Sequence, residues 1–222
     1  GPWAHFRGYG SNFEAAFGHA AVTGYSDMDA EGAPSSIASD ATSGVTIVNA
    51  AMMALRQREK TGRGMYIDLS MGENFVPHLG ELFMDYEFNG RVAGPLDNRD
   101  HMGIVVQGLY PCAGDDEWIA ITIGSIEDWH ALCGVMGKQD LIKDGKFADM
   151  DGLRSSHDEI DQIIGSWTAD KDPIELFHLL QREKITAGPV MHEPHIFADP
   201  HLKERGFFIP VTAPEVGTHL YP

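Results

Sequence analysis

The chain has 222 residues, 43% of them apolar, enough for one good core or two small lobes and too apolar for disorder. Its formal net charge of -17 argues against a nucleic-acid partner, which asks for a basic face, but leaves room for an anionic small molecule at a local basic cluster. No apolar run is long enough to span a bilayer, and Cys112 and Cys133 have neither metal-ligand spacing nor a disulfide framework, so free thiols and a cytoplasmic protein are expected.

From the N-terminus, SNFEAAFGHAAVTG (11–24) puts Phe13, Ala16, Phe17 and Ala20 at helical spacing, with Ser11 or Asn12 as cap. A polar Gly/Pro loop, YSDMDAEGAPSS (25–36), follows. The next stretch, SSIASDATSGVTIVNAAMMALRQREKTGRG (35–64), predicts a long helix. Val45, Val48, Met52 and Leu55 form its apolar stripe, Gly62 its left-handed stop, and basic residues its last turn. MYIDLSM (65–71) alternates apolar and polar and predicts a strand. GENFVPHLGELFMDYEFNG (72–90) predicts a helix with Pro77 near its first turn. RVAGPLDNRDHMG (91–103) is a linker by composition, which places a domain boundary near residue 100.

Beyond it, IVVQGLYP (104–111) and EWIAITIG (117–124) predict two strands joined by a turn. Ser125 and Asp128 signal a capped helix through DWHALCGVMG. GLRSSHDEIDQIIGSWTAD (152–170) predicts a further helix. KDPIELFHLLQREK (171–184) predicts one with Asp172 as cap and Pro173 first in the helix. TAGPVM reads as a short strand, HEPHIFADPHLKERG as short helical turns and FFIPVTAP as a strand. The first part is helix-rich with one strand; the second is an α+β unit of short antiparallel strands.

Asp40 stands among small residues at the start of the long helix. One reading makes it an N-cap. The other makes it reactive: carboxylates ionise well below neutral pH, a helix N-terminus favours the anion, and small neighbours leave room for a substrate. His192, His195, Asp199 and His201 hold zinc-ligand types, but Pro194 and Pro200 break any helical presentation, so solvated histidines on a turn are expected. Arg56, Arg58, Lys60 and Arg63 read first as complement to the helix dipole and second as a phosphate contact. Cys112 and Cys133 read as core thiols, and Trp118, Trp129 and Trp167 as core aromatics. There is no phosphate-binding glycine loop.

The stretch SDATSG, continued by ALRQREKTGRGMYIDLSMGE, resembles the class III CoA-transferase family, also called CaiB/BaiF. GPWAHFRGYGSNFEAAFG, QGLYPCAGDDEWIAI and ADPHLKERGFF agree with further family segments, so the resemblance runs along nearly the whole chain. It implies an α/β fold. Residues 1–100 would be the second part of the large catalytic domain, 104–195 a small α+β domain, and 196–222 a return segment toward the large domain. Asp40 falls at the family's catalytic aspartate, which implies CoA transfer between an acyl-CoA and a carboxylic acid through an aspartyl-CoA thioester. First-turn N–H groups would steady the oxyanion. Coenzyme A enters as substrate, with no metal. An interlocked homodimer or a complementing chain is implied, as is a chain that is part of a longer protein. The family's racemases carry a His in a GHD-x-x-Y segment; Tyr9 stands there, and a phenol is a poor base at neutral pH. His5 and His19 fall off the motif position. The alternatives are that racemase or isomerase chemistry and a non-catalytic domain of the same fold.

Overall fold

The longest element ends in a run of good helix formers, residues 50–60, closed by a glycine. Helix α2 spans Ala38–Thr61 and stops at Gly62, whose φ of 69° is the left-handed conformation glycine adopts at no steric cost. The computed structural model describes residues 1–28, 36–100 and 102–222. Residues 29–35 of the loop and residue 101 of the linker, both read as irregular, lie outside the described residues. The chain is α/β and divides into two units, Gly1–His101 and Met102–Pro222.

In the first unit, α1 spans Gly10–Ala16 and is shorter than the sequence reading. The chain leaves the helix at Phe17, and Gly18 takes a positive φ of 96°. Neither Ser11 nor Asn12 is the cap. Tyr9 holds that position, and Asn12 reaches back to accept its N–H at 2.9 Å. The segment read as a strand at 65–71 pairs with no other strand among the described residues. An alternating pattern makes a strand only where a neighbour takes up its backbone hydrogen bonds. The helix read from residue 72 breaks in two. Helix α3 (Met71–Phe75) runs into a 3-10 turn, Val76–Leu79, that contains Pro77, and α4 follows over Gly80–Asn89.

The stripe expected to bury α2 faces outward. Val45, Val48 and Met52 are each more than 60% exposed. The opposite face, with Ser39 and Ser43, is the buried one. Small residues there let α1 and α3 approach closely. The Phe17 ring lies where a side chain on Gly72 would be, and Asn74 Nδ2 donates to Ser43 Oγ at 3.3 Å.

The second unit follows its pattern closely. Strands β1 (Val106–Pro111), β2 (Trp118–Ile123) and β3 (Thr186–Pro189) form an antiparallel sheet in that order. Val106 pairs with Ile123 and Pro111 with Trp118; Ile121 also pairs with Ala187. Alternation puts Ile119, Ile121 and Ile123 inward. Helices α5 (Ile126–Met136), α6 (Met150–Ser155), α7 (His157–Thr168) and α8 (Pro173–Arg182) complete the core, where Trp129, Phe147, Leu153, Ile160, Ile164 and Leu180 are fully buried. Each such side chain contributes about 1.5–3 kcal/mol.

The helix read at 152–170 is two helices that meet at Ser156. Trp129 is core and Trp167 packs against that core, but Trp118 lies half-exposed at the start of β2, its indole N–H donating to Asp116 at 2.8 Å. After α9 (Glu193–Ala198) and α10 (Pro200–Glu204), strand β4 (Ile209–Ala213) pairs with β5 (Gly217–Tyr221). The sequence reading names no strand at β5. Among the described residues no helix is long and apolar enough to cross a membrane.

Candidate active site

Asp40 is the third residue of α2, not its cap. The cap is Ile37, whose side chain can accept nothing and whose φ of 47° is left-handed, a costly conformation for a β-branched residue. The Asp40 side chain is exposed and forms no hydrogen bond or ion pair with any described residue. It borders an open cavity of about 500 Å³ with Asp40, Ser43 and Gly44 on one side and Ile67, Asp68 and Met71 on the other. Ile47, Ile67, Leu69 and Met71 supply its apolar lining, and Asp40, Ser43 and Asp68 its polar lining.

A glycine admits that carboxylate. A side chain at Gly10 would lie 2.8 Å from Asp40 Cγ and collide with its oxygen. The start of α2 is then tied down from α1. Ser39 Oγ donates to the Gly10 carbonyl at 3.2 Å, and the Ser39 N–H donates to Glu14 Oε1 at 3.2 Å. Ser36 Oγ donates to both Glu14 oxygens at 3.2 and 3.1 Å and receives the Ala38 N–H at 3.4 Å. His19 Nδ1 lies 3.4 Å from Glu14 Oε2, and its ring packs edge-on against Phe75.

Glu14 is only 3% exposed. Burial pushes its pKa up, but hydrogen bonds from Ser39, Ser36, His19 and Ala38 outweigh burial and hold it below its ordinary value of 4.5. Its carboxylate therefore does the capping that Ile37 cannot. This modifies the expectation for the oxyanion. The Ala38 and Ser39 N–H groups are taken, which leaves the Asp40 N–H as the first-turn donor without an acceptor among the described residues.

The other candidates have local settings of their own. His192 and His195 have ring centroids 6.1 Å apart, and Asp199 caps α10 through the Leu202 N–H at 2.8 Å. Among the described residues no three His, Cys, Asp or Glu side chains converge as metal ligands would. Arg56, Arg58, Lys60 and Arg63 are exposed on and just past the last turns of α2. Cys112 and Cys133 are buried, and burial pushes both thiols up to about 11, so they are core thiols rather than nucleophiles. Tyr9 is exposed at the start of α1. The sequence reading missed Glu14, Gly10 and Asp68. The available signal was a lone acid inside the apolar run NFEAAF, which also reads as a solvated face.

A profile described as CoA-transferase family III matches residues 1–222. A probable CoA-transferase of Mycobacterium tuberculosis is 29% identical over 99% of this chain, which spans 28% of that protein. A succinyl-CoA–D-citramalate CoA-transferase of Chloroflexus aurantiacus is 26% identical over 98% of the chain, which spans 53% of it. The crystal structure of a CaiB/BaiF family protein from Brucella suis superposes with a TM-score of 0.81 at 23% identity, covering 99% of this chain and 60% of the other. The chain thus spans less than two thirds of the length of each.

Proposed function

Because the chain belongs to CoA-transferase family III, we propose that it carries the acyl-accepting part of a CoA-transferase, with Asp40 as nucleophile. The observation that carries this reading is the free, exposed Asp40 carboxylate at a helix start beside an open cavity lined by polar and apolar groups alike. An Asp40 oxygen attacks the thioester carbonyl of an acyl-CoA. The carbon–sulfur bond breaks, giving a mixed anhydride and CoA thiolate. The thiolate attacks the Asp40 carbonyl, the anhydride bond breaks, and the first acid leaves as its carboxylate. The resulting aspartyl-CoA thioester is attacked by an acceptor carboxylate, and the same two steps reverse. Each step exchanges one acyl bond for another and needs no net proton transfer. The Asp40 N–H and the positive end of α2 favour the negative charge that gathers on the attacked oxygen.

Residues 1–100 form the catalytic portion in this reading, 104–195 a small domain and 196–222 a return segment. A second copy or a complementing chain completes the coenzyme A site. Buried free thiols support a cytoplasmic setting. The cavity wall carries no imidazole among the described residues, so racemase chemistry gains nothing from the geometry. The test follows the movement of CoA from succinyl-CoA to a free carboxylic acid by chromatography. Asp40→Asn should reduce transfer to background. Undiminished transfer by that variant would rule Asp40 out.

A further inference from the structure

We propose that Glu14 is the positioning residue of this site: from α1 it anchors the first turn of α2 and so fixes where the Asp40 carboxylate lies. The inference rests on the reading of Asp40 as nucleophile. A buried carboxylate is costly unless several donors satisfy it. The donors of Glu14 come from Ser36 and Ser39 before Asp40, and from His19. Gly10 and Glu14 are four residues apart on α1, hence on one face of it. Ser39 spans both, giving its hydroxyl to the Gly10 carbonyl and its N–H to Glu14. Asp40 is the next residue, and its carboxylate lies over Gly10.

A serine or aspartate at position 37 could take first-turn N–H groups, as an ordinary cap does. It would not tie α2 to α1. The cap supplied from another helix does both, so loss of Glu14 should move Asp40 while the rest of the chain stays folded.

The experiment compares the unaltered chain with Glu14→Ala and Glu14→Gln. Two quantities are read: amide hydrogen exchange over residues 36–43, and trapping of an Asp40 acyl adduct from succinyl-CoA by hydroxylamine. Glu14→Ala should raise exchange at 38–41 and slow trapping at saturating thioester about 10- to 100-fold, the cost expected of a small misplacement. The half-saturating concentration should stay within about twofold, and Glu14→Gln, which keeps an acceptor oxygen, should recover most of the loss. Unchanged exchange, a loss confined to half-saturation, or no recovery in Glu14→Gln would overturn the proposal. If Glu14→Ala does not fold, Glu14→Asp, which withdraws the acceptor by one methylene, should give the same pattern. If the unaltered chain traps no adduct, the nucleophile reading fails, and exchange at 38–41 still decides whether Glu14 orders the turn.

Discussion

Asp40 depends on what its neighbours lack. Gly10 has no side chain, so the carboxylate has a place to lie. Gly10→Ala should therefore displace it and cut adduct formation at Asp40 by about 10-fold or more. Mass mapping of the hydroxamate checks this, and a rate equal to the parent's would show that the close approach is unimportant. Ile37 is 57% exposed and left-handed, a strain worth about 1–3 kcal/mol. Ile37→Asn, which tolerates that conformation, should raise the unfolding midpoint, by about 1 kcal/mol of stability. Asp40 stands out in the sequence because small residues surround it and a family resemblance marks it. Glu14 does not, because a carboxylate on a short helix gives no sign that its partners come from residues 36–39. Only the fold brings them together.

Elements were legible where the cause was local. Asp172 accepts the N–H groups of Ile174 and Glu175, both at 2.9 Å, and starts α8 where the sequence places it. Asp172→Ala should lower stability by about 1 kcal/mol, read from the denaturant midpoint. Ser125 likewise accepts the Asp128 N–H at 3.2 Å. Elements that depend on a partner were misread. Residues 65–71 alternate as a strand should, yet no strand lies beside them among the described residues. The Val45–Leu55 stripe has helical spacing but faces away from α1 and α3, because Ser39 and Ser43 make the closer contact. Strand β5 went unseen because GTHLY acquires its role by pairing with β4.

Across the molecule the two units are held together differently. Phe75 and Leu79 are the buried large apolar side chains of the first unit among the described residues, whereas the second has a continuous core from β1 to α8. Amide exchange should therefore be slowest in the second unit, in β2, α5, α7 and α8, and faster throughout the first. Equal protection in both would contradict this.

The pH dependence divides the same way. Glu14 is held below its ordinary value, so its contribution is present above about 4.5 and lost as pH falls through its lower folded value. Cys112 and Cys133 are raised from 9.0 to about 11, so their contribution is present below 9.0 and lost as pH rises toward 11. Acid should thus loosen the first unit and alkali the second, as pH-resolved amide exchange would record.

The most direct measurement is the mass of the chain after exposure to succinyl-CoA and hydroxylamine, with the modified residue located by peptide mapping. The expected result is a hydroxamate on Asp40, absent from Asp40→Asn. An unmodified chain, or a hydroxamate on another carboxylate such as Asp68, would contradict Asp40 as the group that accepts the acyl chain.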